Sequence, residues 1–236
     1  MAVLPRLTVA QTDALAGRVL DRCREAGVVD AGAPEVDWER FHALRERLYR
    51  TFQVPTTTLT PLSARVLYGV SAMHLPRSVV VLGCYAGNLM AWVTAPVLGP
   101  GHDPAVVGRA AVGLDVDGAA VETARANFAA AGFGPGVRTV VGDAFDVATH
   151  AAGTAWDLLL IDVDVPGARK SGYARLLERW LEHRGPGAVV IAHDVCHPVF
   201  RHDLGGYQAF AREQGASASL TLPVDECGLE VSRWPD

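Results

Sequence analysis

Lysine is almost missing from this chain of 236 residues: of its 21 basic residues only Lys170 is a lysine, and the others are arginines. A surplus of basic charge is missing too. With 26 acidic residues the formal net charge is −5, which offers no electrostatic groove to nucleic acid and no attraction to an anionic membrane surface. No segment approaches the roughly 20 apolar residues of a spanning helix, and the stretch Met1–Arg6 is too short in apolar run to read as a secretory leader. Cysteine is sparse as well. Cys23, Cys84, Cys196 and Cys227 form no C-x-x-C pair and no spaced framework, so reduced, packed thiols are expected. These absences point to a soluble cytoplasmic protein that partners neither nucleic acid nor membrane.

What is present suffices for a core. Half the residues are apolar (50%) and mean hydropathy is +0.17, which excludes disorder and fits one α/β domain or a domain with a small appendage. The first third reads as helical and is expected to form a cap over residues 1–75. Thr8 with Gln11 fits a capping box, followed by Leu15, Val19 and Leu20 at helical spacing until Gly27. A second helix is predicted over Trp38–Phe52, with Phe41, Leu44, Leu48 and Tyr49 on one stripe. Thr58-Leu-Thr-Pro61 reads as a cap with proline at the first helical position, opening a third helix toward Met73.

From Arg77 the pattern changes, and residues 76–236 are expected to form the binding domain. Short apolar runs at Ser78–Leu82, Ala110–Leu114, Arg138–Val141, Leu158–Ile161 and Ala188–Ala192 alternate with amphipathic segments such as Gly118–Ala131 and Tyr173–His183. Apolar strands of that length belong to a parallel sheet covered on both faces, and the alternation implies right-handed crossovers in a doubly wound, Rossmann-like α/β sheet. Ser219–Leu222 and Gly228–Val231 read as a closing antiparallel hairpin.

Open sheets of this kind bind ligands at the carboxyl ends of their strands. The first strand is followed by a glycine turn, Gly83-Cys-Tyr-Ala-Gly87, and the second by Asp115. Asp143 follows the third, Asp162-Val-Asp164 the fourth, and the fifth ends in His193-Asp194. Each feature alone is a turn or a helix cap. In series they gather carboxylates along one edge, where they repel, and packing gives no reason for that. A nucleoside-type cofactor is the expected ligand. The turn is neither G-x-G-x-x-G nor G-x-x-x-x-G-K-[ST], so ribose and adenine without phosphate fit better than a dinucleotide or a nucleoside triphosphate.

Val79-Val-Val-Leu-Gly83-Cys-Tyr-Ala-Gly87, Gly113-Leu-Asp115, Val141-Gly-Asp-Ala144, Asp157-Leu-Leu-Leu-Ile-Asp162 and Gly187-Ala-Val-Val-Ile-Ala-His-Asp194 resemble, in order, the motifs of class I S-adenosylmethionine (SAM)-dependent methyltransferases. Within them the chain is similar to the catechol and caffeoyl-CoA O-methyltransferase group, over about residues 57–236, including Thr58-Leu-Thr-Pro61. The resemblance implies a seven-stranded sheet and SAM as cofactor. Gly83, Tyr85 and Gly87 would lie against its methionine part, Asp115 against the ribose, and Asp143 and Ala144 against the adenine, with Asn88, Val116 and Asp162 also binding the cofactor.

The group's pattern D-x-D-K-x-x-Y supplies a metal-binding aspartate and a lysine base. Here Lys170-Ser-Gly-Tyr173 keeps K-x-x-Y, displaced by five residues, Val165–Arg169. Three positions depart from the group. Val81 replaces an acid before the first glycine, Leu89 a serine after the second, and Val195 the asparagine that is the third metal ligand. Asp162 and Asp194 would remain to hold a divalent cation such as Mg²⁺ weakly, and His193 or His197 as a nitrogen ligand would favour a transition metal. Lys170 or His193 is the candidate base, with His197 and His202 less so. Core is the expected place for Trp180, while Tyr85 and Trp92 read as core or pocket wall. The implied reaction is methyl transfer to a hydroxyl oxygen of a small molecule of bacterial secondary metabolism, with a homodimer as the implied assembly. Methylation of nitrogen, carbon or a carboxylate, cleavage or cyclisation of SAM, and a non-catalytic SAM-binding module are the alternatives.

Overall fold

The computed structural model describes residues 7–57, 59–102, 108–150 and 155–236. Met1–Arg6 and Thr58 of the predicted cap segment lie outside the described residues. Helix α1 (Val9–Glu25) opens on the expected capping box: the Gln11 N–H donates to Thr8 Oγ1 and the Thr8 N–H to Gln11 Oε1, satisfying two donors that a helix start leaves unpaired. Asp37 caps α2 (Trp38–Thr51), and Thr60 caps α3 (Pro61–His74) with proline in its first turn. Phe41, Leu44 and Leu48 are buried as expected, but Tyr49 is 65% exposed. One residue past Leu48 is about 100° round the helix, and the Tyr49 ring instead carries the Arg45 guanidinium, 4.6 Å from its centroid.

Beyond α3 strands and helices alternate: β1 (Ser78–Leu82), α4 (Asn88–Leu98), β2 (Ala110–Asp115), α5 (Gly118–Ala131), β3 (Val137–Val141), α6 (Val147–His150), β4 (Trp156–Ile161), α7 (Tyr173–Leu181), β5 (Arg184–His193), α8 (Arg201–Leu204), α9 (Tyr207–Glu213), β6 (Ala218–Leu222) and β7 (Leu229–Arg233). The sheet has seven strands in the order β3-β2-β1-β4-β5-β7-β6. β1 to β5 run parallel, and β7 is antiparallel to both β5 and β6. The predicted tail hairpin is there, with its second strand inserted beside β5. Several boundaries differ from expectation, those of β5 and α7 among them. β5 starts at Arg184 because Gly185-Pro186-Gly187, which reads as a turn, is absorbed where the β4–β5 register shifts. α7 stops at Leu181.

Side chains alternate between the faces of a strand, and here both faces are apolar. Val79, Val81, Leu158, Leu160, Val189 and Ile191 pack under α1 to α5. Val80, Leu82, Leu159, Ile161 and Val190 pack under α7 and α9. Trp180 is in this second core, its Nε1–H donating to the Ala144 carbonyl at 2.9 Å. Trp92 is in the first. Among the described residues no helix is long and apolar enough to cross a membrane. Because β1 lies between β2 and β4, the chain winds outward in both directions from it. The crevice of a doubly wound sheet therefore opens at the ends of β1 and β4.

Candidate active site

At the carboxyl ends of the strands lies a cleft of ≈ 750 Å³, in the size range of small-molecule sites. Gly83 makes its floor: with φ +81°, any Cβ there would stand 2.0 Å from the Asp162 carbonyl oxygen, so only glycine lets β1 turn against β4. Tyr85 follows in the left-handed region (φ 44°) and is pinned by its N–H, which donates to Asp115 at 2.8 Å. Asp115 also accepts the Asp117 N–H at 3.0 Å, yet each carboxylate oxygen keeps a lone pair for a further donor. Asn88 donates to Thr57 Oγ1 at 2.9 Å, and Asp143 accepts the Phe145 N–H at 2.9 Å.

Of the predicted cofactor residues, Gly83, Tyr85, Asn88, Asp115 and Val116 border the cleft, as do Asp143, Ala144 and Asp162. Gly87 does not. It caps the start of α4 at φ 88°, where a Cβ would stand 2.8 Å from the Phe128 ring. Leu89 and Cys84 also face the cleft, and burial pushes the Cys84 thiol up to about 12, which rules it out as a nucleophile near neutral pH.

Lys170 and Asp194 complete the wall. Lys170 begins a short 3₁₀ turn (Lys170–Gly172) after an extra loop that the Val165–Arg169 bridge closes. Its Nζ is 2.9 Å from Asp162 Oδ1, 2.8 Å from Asp194 Oδ2 and 3.1 Å from Tyr173 Oη, and the residue is 3% exposed. Burial would lower its pKa, but the two carboxylates outweigh burial and hold it above the usual lysine range. Asp194 sits in the left-handed region at φ 67°. Burial works against its ionised form, yet His193 and Lys170 hold its carboxyl well below the usual range, and Asp162 moves the same way.

His193 is behind this wall. It is 2% exposed, does not border the cleft, and neither ring nitrogen has an aligned hydrogen-bond partner. Its Nδ1 is nevertheless 3.4 Å from Asp162 and 3.3 Å from Asp194. Against burial, those carboxylates raise it to about 10. His197 takes the Val199 N–H on Nδ1 at 3.2 Å, capping a 3₁₀ turn, and His202 is exposed on α8. Neither borders the cleft.

A hard divalent cation fits this set poorly. Mg²⁺ needs oxygens at about 2.0–2.1 Å around it, and the space between Asp162 and Asp194 is taken by the Lys170 ammonium, with the apolar Val195 next in the chain. Among the described residues, the His/Cys/Asp/Glu atoms close enough to share an ion are those of His193, Asp194 and Cys227, all buried and within 4.8 Å of one another. That nitrogen–oxygen–sulfur group omits Asp162 and is not a magnesium set.

Phe145 and Arg175 are among the cleft residues that sequence reasoning passed over. The Arg175 guanidinium lies 4.5 Å from the Phe145 ring centroid. Phe145 directly follows the Asp143-Ala144 pair and could have been read from that adjacency, whereas Arg175 needs the packing of α7. A second cavity of ≈ 240 Å³, walled by Phe41, Tyr49, Phe52 and Trp92, shares Thr57 and Asn88 with the main cleft.

Residues 80–195 match the family model of a methyltransferase domain. Among curated proteins none matches the sequence. Solved structures match in fold. The SAH-bound methyltransferase PaMTH1 of Podospora anserina superposes with TM-score 0.64 at 17% identity, covering 100% of both chains. The O-methyltransferase of Bacillus cereus in complex with SAH gives TM-score 0.62 at 18% identity, over 94% of this chain and 99% of that one. The O-methyltransferase TomG of Streptomyces achromogenes, involved in tomaymycin synthesis and in complex with SAM, gives 0.64 at 16% identity, over 95% and 99%.

Proposed function

We infer that this chain, with a class I SAM-dependent methyltransferase fold and a methyltransferase domain at residues 80–195, transfers a methyl group to a hydroxyl oxygen of a small molecule. The observation that carries the reading is the single cleft whose wall runs from the Gly83 turn past Asp115 and Asp143 to Asp162 and Lys170. It offers acceptors and a close backbone approach to an adenosine, with no anion cradle for phosphates. The O-methyltransferases of like fold support oxygen as the acceptor atom.

Bound SAM supplies an electrophilic sulfonium methyl, which an acceptor oxygen attacks as the carbon–sulfur bond breaks and its electron pair stays on sulfur. The protein must hold the acceptor in line and take up a proton. Asp115 would accept the ribose hydroxyls on its remaining lone pairs, and Tyr85 would keep the turn open beside the methionine part. Phe145 and Ala144 would flank the adenine, with Asp143 accepting from it. Of the two candidate bases Lys170 borders the cleft and His193 does not, so contact with the acceptor falls to Lys170 and its carboxylate partners. Asp162 engages Lys170 and His193 through Oδ1, leaving Oδ2 outside these contacts to receive the hydroxyl proton. Incubation with SAM and a panel of phenols and alcohols tests the reading by its product. S-adenosylhomocysteine with a methyl ether supports it; methylthioadenosine, or a methylamine as the methylated product, contradicts it.

A further inference from the structure

We propose that the Lys170 ammonium occupies the place of a divalent cation between Asp162 and Asp194, so that this site works without a metal. The inference deepens the methyl-transfer reading and rests on it for the role of the site, though not for the exclusion of the ion. Lys170 Nζ is at hydrogen-bond distance from both carboxylates at once. An ion ligated by both would need the same volume.

Three further features make this a built arrangement. The ammonium lies 5.4 Å from the centroids of both the Tyr173 and the Phe200 ring and donates to Tyr173 Oη, so moving it aside takes the ammonium from a buried hydroxyl and two carboxylates at once. The loop that delivers it is held in shape: Val165 and Arg169 form a bridge, and the Arg169 guanidinium lies 4.8 Å from the Phe200 centroid. Finally, the Lys170 ammonium already sets a positive charge against both carboxylates, and a divalent cation would have to be held beside it against like-charge repulsion. The Val195 side chain offers no third oxygen. Held in this way, the Lys170 charge faces the cleft and would stabilise negative charge developing on an acceptor oxygen, the service a metal performs elsewhere.

The test titrates Mg²⁺ and Mn²⁺ into chelator-stripped full-length protein by calorimetry, beside Lys170→Met, with S-adenosylhomocysteine titrated separately. Wild type is expected to show no saturable Mg²⁺ heat and no Mn²⁺ broadening of the His193 ring signals in NMR. Lys170→Met should bind Mg²⁺ at least about tenfold more tightly, because a positive charge a few ångströms from the ion has gone. Saturable Mg²⁺ binding to wild type that Asp162→Asn abolishes overturns the proposal. Failure of Lys170→Met to gain any affinity while folded overturns it too. Should that variant not fold, the Mn²⁺ broadening on wild type decides: its presence refutes and its absence supports. Absence of S-adenosylhomocysteine binding would count against the methyltransferase reading alone, since the metal arm is read without it.

Discussion

Replacing Lys170 with methionine keeps most of the side-chain volume and removes the ammonium that Asp162 and Asp194 share. The lysine side chain is 4% exposed and its partners 19% and 11%, so water cannot screen the two carboxylates in its place. Breaking a buried ion pair by deleting one member costs about 3–5 kcal/mol. His193 stays within 3.4 Å of both carboxylates as a second cation, which sets the expectation at the lower end, about 3 kcal/mol. For a chain of this length that corresponds to a drop in Tm of about 6–12 °C. Differential scanning calorimetry at neutral pH reads it directly. Lys170→Met combined with Asp194→Asn should recover part of the loss, since one stranded charge is gone. A Tm within about 2 °C of wild type would mean that Lys170 is a solvated loop residue, and the ion cluster would have no energetic reality.

Three other outcomes are expected of this protein. His193 is raised to about 10 from an unfolded value near 6.5, so its contribution is complete below about pH 6.5 and fades as pH rises toward 10. The Tm of wild type should fall more over that alkaline range than that of His193→Gln, and parallel curves would refute the ring's charge. Gly83→Ala should destabilise by about 2 kcal/mol or more and abolish SAM binding, because its φ and the Asp162 carbonyl both forbid a Cβ. Gly101→Ala, with like φ but nothing within 4 Å, should cost only about 1 kcal/mol; equal losses in urea denaturation would contradict this. Asp115→Asn should weaken S-adenosylhomocysteine binding by about tenfold or more, a charge-assisted hydrogen bond's worth, and an unchanged affinity in calorimetry would remove Asp115 from the ribose.

Much of the architecture could be read from residue order. The parallel strands were legible because they are short, mostly apolar runs, and in β1 both faces are apolar, as Val79 and Val80 show by pointing into different cores. Thr8–Gln11 and Pro61 marked helix starts because capping is local chemistry. Where tertiary contacts decide, the reading slipped. Tyr49 carries an apolar ring but turns outward under Arg45, and β5 runs on through Gly185-Pro186-Gly187 to Arg184, which pairs with Trp156 beyond a register shift. At the site, the acids after β2, β3, β4 and β5 were legible in series. Their partners were not: that Asp115 holds the Tyr85 N–H depends on the packing of the β1 turn against β2, and that Lys170 reaches Asp162 and Asp194 depends on a loop that a bridge between Val165 and Arg169 closes. Likewise His193 adjoins the strand end in sequence, and only packing shows it sealed behind the wall.

The central claim is that the crevice at the ends of β1, β2 and β4 takes an adenosyl sulfonium cofactor. Isothermal titration of S-adenosylmethionine into the folded full-length chain tests it most directly. The account expects saturable heat for one molecule per chain, competed by S-adenosylhomocysteine and lost in Gly83→Ala. A flat titration with protein that melts cooperatively would contradict it.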